Sequence, residues 1–112
     1  MDTARRASAH TWIGQPVHDM HGEKLGELAD VVFDTVDGHM VYGVLSVHGA
    51  LGIGEKLFAV PWTLLHKETG RENEFRLEAS FERLKGAPGF DKDNWPDEAD
   101  EGFVERTHTA YT

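Results

Sequence analysis

The chain has no cysteine, few positive charges and no long apolar run, and each absence excludes a class of protein. Without Cys it forms no disulfide and offers no thiolate to a reaction or a metal ion. Its 112 residues include 11 Lys and Arg against 20 Asp and Glu, a formal net charge of -9. Such an acidic chain is poorly suited to the phosphates of nucleic acids and anionic lipids. We therefore expect no direct nucleic-acid binding, and the lack of disulfides favours a cytoplasmic location.

The first residues also lack a targeting or membrane-spanning pattern. Arg5 and Arg6 are followed by no apolar run, so the sequence predicts neither a signal peptide nor a membrane span. A domain of this length buries roughly two thirds of the surface of its unfolded chain, which is sufficient for one core. We divide the chain into a flexible arm at residues 1–12, a β-rich domain at 13–86 and an acidic extension at 87–112, packed on the domain or on a partner.

Short alternating apolar segments between turn signals predict a small β-barrel. The strongest signal is Asp37-Gly38, because both central residues of a tight hairpin turn need positive φ. The strand after this turn is apolar on both faces, so we expect one face to line the barrel and the other to meet a helix, the extension or a second subunit. Its two faces carry Val41, Leu45 and Val47 on one side and Met40, Tyr42 and Val44 on the other. Strands are predicted at residues 16–19, 25–34, 39–48, 56–61 and 74–79.

A glycine-rich loop separates the third and fourth of these strands. Gly49, Gly52 and Gly54 resemble a nucleotide-binding loop in composition, but such a loop opens a helix that holds the phosphate. Here a strand follows, and it ends at Pro61, which removes a backbone donor. We interpret the three glycines and Pro61 as structural residues of a barrel corner.

The C-terminal third is predicted to be helical in two places. Ser80 is a candidate N-cap for a short helix that Gly86 ends. The acidic extension follows as an ordered loop held by Phe90 and Trp95, and residues 91–105 hold seven of the acidic residues and one lysine. A last helix is expected to place Phe103, Thr107 and Tyr111 on one face.

Several of these segments together resemble the PRC-barrel domain family over about residues 13–79. The resemblance rests on the hairpin VHDMHGEKLGEL, the strand end at Asp34, the Asp37-Gly38 turn, the block GALGIGEKLFAVPW, and Leu64 and Leu65 after it. It implies a mainly β fold, a compact six-stranded barrel to which the short helix and C-terminal helical extension are added. The acidic extension is similar to that of small stand-alone bacterial members.

The same resemblance implies contact with other macromolecules and no enzymatic reaction. Family members include the cytoplasmic domain of the photosynthetic reaction-centre H subunit and the C-terminal domain of a ribosome maturation factor. Both use the barrel for docking. The family has no catalytic motif that could be carried onto this chain, and we expect no catalytic residue and no cofactor.

The histidines and several carboxylates are candidates for metal or catalytic sites. His18 and His21 flank a turn and could converge with His39 or His48, but ligands on one face of a strand lie two residues apart, so solvated histidines are the favoured interpretation. The acidic extension lacks a calcium loop pattern, because Trp95 stands at a ligand position. Four further carboxylates are interpreted as solvated strand and turn residues: Glu23, Glu27, Asp30 and Asp34.

The favoured function is therefore a non-enzymatic protein-interaction module that forms a homodimer. Leu51 and Ile53 stand out, because apolar side chains in a loop have few neighbours and loop tips commonly carry recognition. A metal- or small-ligand-binding domain that uses the hairpin histidines or the acidic extension is the alternative. The candidate interaction residues are Met40, Tyr42, Leu51, Ile53, Phe58 and Trp62.

Overall fold

A computed structural model describes residues 8–48, 55–67, 74–87, 89–90 and 101–111. Its elements, in chain order, are α1 (Ala9–Trp12), β1 (Pro16–His18), β2 (Lys24–Phe33), β3 (Met40–His48), β4 (Glu55–Pro61), a 3₁₀ turn (Trp62–Leu64), β5 (Leu65–Lys67), β6 (Phe75–Leu77), α2 (Phe81–Lys85), β7 (Gly89–Phe90) and α3 (Glu101–Ala110). The five predicted strands are confirmed. The short strands β5 and β7 and the helix α1 were not predicted from sequence, and α1 lies within the predicted flexible arm.

The strands of the described residues form one seven-stranded mixed sheet in the order β5-β6-β1-β2-β3-β4-β7. Neighbours pair antiparallel except β1 and β6, which are parallel. The closed six-stranded barrel of the sequence analysis is therefore wrong for this part of the chain. A barrel needs hydrogen bonds between its first and last strands, and here β5 and β7 are edge strands with no ladder joining them.

The sheet nevertheless curls so that its two ends approach each other. The 3₁₀ turn leads from β4, near one edge of the sheet, directly to β5 at the other edge. Four residue steps from Pro61 to Leu65 can span at most about 14 Å, so these strands lie close in space. We call the place where the two edges of the sheet approach each other without a hydrogen-bonded ladder the seam.

Aromatic rings pack beside the seam. Trp12 of α1 stacks on Trp62 of the 3₁₀ turn, with ring centroids 5.5 Å apart. Phe75 of β6 makes T-shaped contacts with Trp12 and with Trp62, with ring centroids 5.3 Å and 6.3 Å apart. Three elements that are distant in sequence are thereby joined by ring packing.

Bulges in β2 and β3 change which side chains face inward. On β2 the inward residues are Leu25, Leu28 and Val31, three apart instead of two, because the pairing register shifts on either side of Leu28. On β3 the register skips Val41. Met40 therefore packs against the inner core and Val41 against the outer cluster, the reverse of the prediction.

Apolar side chains are buried on both faces of the sheet, as predicted. The inner core is enclosed by the curl and is extended by Leu84 and Ala87 at α2 and by Tyr111 after α3. On the outer face a smaller cluster consists of Tyr42, Val44, Leu57, Ala59 and Phe90. Phe90 belongs to β7, so residues after the main domain help to cover this face.

Capping and packing fix the two later helices. The Ser80 side chain accepts a hydrogen bond from the Arg83 N–H at 3.1 Å, which confirms the predicted N-cap of α2. On α3, Thr107 is fully buried, and Tyr111 just beyond the helix is buried as well. The Arg83 guanidinium donates to the Tyr111 carbonyl oxygen at 2.9 Å and ties α2 to the end of α3. Trp95 lies outside the described residues.

Candidate interaction surface

The turn between β2 and β3, residues 34–39, is the most distinctive surface feature of the described residues. It is longer than the two-residue turn expected from Asp37-Gly38, and it is held by backbone bonds from Asp34 N–H to the His39 oxygen at 2.8 Å and from Gly38 N–H to the Asp34 oxygen at 2.7 Å. Gly38 has φ +81°, where a Cβ atom would be strained. We call residues 33–39, which include the end of β2, the hairpin tip.

Two carboxylates add hydrogen bonds that order this turn. Asp34 Oδ1 accepts from the Val36 N–H at 2.7 Å, and Asp37 Oδ1 accepts from the His39 N–H at 3.1 Å. The His39 ring places Nδ1 2.6 Å from the same Asp37 oxygen. The backbone N–H of His39, followed by its ring, holds the pKa of the Asp37 carboxyl below its usual value. Asp37 is therefore an anion at neutral pH.

Large apolar side chains are exposed at the same tip. Val36 is 93% exposed and Phe33 is 53% exposed, the two highest values among the large hydrophobic residues of the described chain. Phe33 lies opposite Met40, which packs on the inner core, so the Phe33 ring continues the inward-facing side of the sheet beyond the core. A β-branched apolar residue in a turn is unusual, because turns favour Gly, Pro, Asn, Asp and Ser.

The segment of chain that contains the tip is acidic. From residue 25 to residue 55 the sequence has five Asp and Glu and neither Lys nor Arg. Asp34, Asp37 and His39 bring their ligand atoms within 4.8 Å of one another. This group was not predicted from sequence, although the run DTVDGH places all three residues in one turn.

The predicted interaction residues mostly have partners within the chain. Tyr42 and Phe58 are buried, one in each cluster, while Met40 and Trp62 are half-buried and pack against the inner core. Pro61 is buried and ends β4, as predicted, and the 3₁₀ turn follows it directly. Five predicted residues lie outside the described part of the chain: Gly49, Leu51, Gly52, Ile53 and Gly54.

The histidines that were considered as ligands separate into different environments. His18 Nδ1 lies 3.3 Å from Glu74 Oε1, across the parallel pair of β1 and β6. His21 is exposed in the turn between β1 and β2, where buried Asp19 accepts its backbone N–H at 2.8 Å. Neither His18 nor His21 joins His39 in the group of possible ligands that the described residues form. The His48 side chain lies outside the described set.

The other carboxylates have the local roles expected of strand and turn positions. Glu27 pairs with Lys24 at 3.0 Å, and Asp30 accepts from the Val31 N–H at 2.8 Å. Glu23 is exposed. The acidic segment 91–100 lies outside the described residues.

The protein is a small, mainly β protein: a curled mixed sheet, followed in the chain by the helices α2 and α3. Residues 5–78 match the PRC-barrel domain family, so the chain belongs to this family. No curated protein matches the chain. Within the described residues, no helix is long and apolar enough to cross a membrane.

Proposed function

We propose that the protein is a protein-interaction or assembly module that has no catalytic reaction of its own and docks through apolar loop and strand surface. The observation that carries this proposal is the exposure of Phe33 and Val36 at the hairpin tip, whose turn is fixed by four hydrogen bonds. An ordered turn loses little conformational freedom when a partner binds, so more of the contact energy is available for affinity.

The two exposed apolar side chains at the tip can contribute to a specific contact. Full burial of an exposed Val or Phe side chain is worth roughly 1.5–3 kcal/mol before association costs are subtracted. Two such residues therefore support a docking site only if the surrounding residues also contact the partner. At the tip, these surrounding residues are the charged ones.

We also propose a cytoplasmic homodimer, with Leu51 and Ile53 of the glycine loop in the contact between subunits. Replacing both by Ser is expected to weaken the dimer, because two apolar side chains are lost from the interface. Sedimentation velocity over a range of protein concentrations measures this, with Met20→Ser as the control, since Met20 is 48% exposed on another turn. A monomeric wild-type chain, or a double variant that dimerises as well as wild type, would contradict this part of the proposal.

Metal binding at the hairpin tip is the second candidate function. Asp34, Asp37 and His39 supply two carboxylates and an imidazole within 4.8 Å, a donor set that suits Zn²⁺. If the tip binds the ion, ZnCl₂ will raise the melting temperature relative to a chelator, and His39→Ala will abolish the rise while His21→Ala retains it. Equal melting curves with Zn²⁺ and with chelator would exclude this candidate.

A further inference from the structure

We propose that the hairpin tip docks a protein segment in which an apolar side chain is flanked by lysines or arginines. The inference rests on the proposed interaction function and adds both a location and the chemistry of the partner. It follows from the juxtaposition of exposed Phe33 and Val36 with the carboxylates of Asp34 and Asp37 in one ordered turn.

The charges of the tip are complementary to a cationic partner. Asp37 is 61% exposed at its side chain, and Asp34 lies between the two apolar residues in sequence. No Lys or Arg occurs within eight residues of the tip on either side. Lysines or arginines around the partner's apolar residue would be attracted to these carboxylates and would pair with them at the rim of the contact.

The same charges argue against other occupants. A second copy that docked tip to tip would bring Asp34 and Asp37 against their equivalents, and such like-charge contacts disfavour an interface. Nucleic acid and anionic lipid carry the wrong sign as well. The apolar pair alone would accept any hydrophobic partner, so the carboxylates are the residues that select a basic one.

The tip also keeps its shape without a partner. Four hydrogen bonds from backbone and Asp side chains fix the turn in the isolated chain. Asn can accept the same N–H bonds as Asp through its amide oxygen. Asp34→Asn and Asp37→Asn therefore remove charge and leave the turn intact, which makes them sharp variants for a test.

The test uses fluorescence anisotropy of a labelled amphipathic helical peptide made of leucine and lysine, at low salt, with chelator present. A matched peptide with glutamate in place of lysine is the control for charge. We expect the full-length protein to bind the lysine peptide in preference, and added salt to weaken that binding.

The variants separate the apolar and the charged contributions. Phe33→Ser is expected to reduce affinity at least about tenfold, as for a central interface residue, and each Asp→Asn by roughly two- to fivefold. Val36→Ser removes the second apolar side chain of the tip, and Val36 is so exposed that this change should not affect folding. Met20→Ser and Glu105→Gln are the matched controls on other surfaces, and both should bind like wild type.

Two results would overturn the inference. If neither peptide binds, or if the control variants weaken binding as much as the tip variants, the tip is not the docking site. If Phe33→Ser and Val36→Ser weaken binding but the Asp→Asn variants do not, and the glutamate peptide binds equally well, the partner is not cationic. That second result would leave the proposed interaction function standing.

Discussion

At the residue scale, Asp37 and His39 show how a single hydrogen-bonded pair shapes an exposed turn. The carboxylate receives the His39 backbone N–H and lies 2.6 Å from the ring Nδ1. Both contacts favour the ionised carboxyl, so its pKa falls below the ordinary value of 3.8. A group whose pKa is lowered on folding stabilises the fold above its unfolded pKa, and that contribution is lost as pH falls through the lowered value.

We predict that His39→Ala raises the pKa of Asp37 only part of the way toward 3.8. The backbone N–H of residue 39 is the larger cause of the shift and remains in the variant, whereas the ring is lost. The measurement is an NMR titration of the Asp37 side-chain carbon between about pH 2 and pH 7, in wild type and variant. An unchanged pKa would show that the ring has no effect, and full recovery to the ordinary value would show that the backbone bond has none.

At the scale of the element, the pairing of β2 with β3 leaves no room for a side chain at Gly26. A Cβ atom there would overlap the backbone carbonyl oxygen of Ser46, which cannot rotate away. The close approach coincides with the shifted registers of β2. Glycine at this position is therefore required by the neighbouring backbone rather than by φ.

Gly26→Ala is expected to destabilise the fold by about 3 kcal/mol or more, because either β2 or β3 must move to relieve the overlap. Gly86→Ala is the matched control, since a Cβ there would meet nothing closer than 3.8 Å. Urea unfolding followed by circular dichroism gives both values. A loss for Gly26→Ala no greater than for Gly86→Ala would be inconsistent with the tight contact.

Five of the seven strands in the described residues could be predicted from sequence because alternation and turn residues are local signals. Asp37-Gly38 and the run ending at Pro61 place β2, β3 and β4 correctly, and Ser80 places α2. Bulges leave no such local signal, so the exchange of Met40 and Val41 between faces could not be read from period-two alternation. The exposure of Phe33 depends on where the inner core ends, which is a property of the whole sheet.

At the scale of the molecule, the sheet is curled but its ladder is open at the seam. The resemblance to the family predicted a barrel, but closure depends on hydrogen bonds between strands that are distant in sequence, and no local pattern reports these. Trp12, Trp62 and Phe75 pack where the ladder is interrupted. The contribution of Trp12 could not be predicted, because its partners lie about fifty or more residues further along the chain.

We predict that Trp12→Ala destabilises the protein by about 2–3 kcal/mol, less than a fully buried aromatic would, because Trp12 is only half-buried. Chemical denaturation with circular dichroism detection measures the loss. Ile13→Ala is the control, since Ile13 is the next residue and is 40% exposed. Equal stability of the Trp12 variant and wild type would show that the stacked rings do not hold the seam.

The parallel pairing of β1 with β6 also determines the order in which the molecule can assemble. Strands β2, β3 and β4 are consecutive in sequence, so each can pair with the next through a short connection. The parallel pairing of β1 with β6, which places Val17 beside Phe75, can form only after the residues between them are in place. Such long-range closure is slow. During synthesis on a ribosome, the nascent N-terminal strand therefore keeps one edge unpaired until β6 has emerged from the exit tunnel.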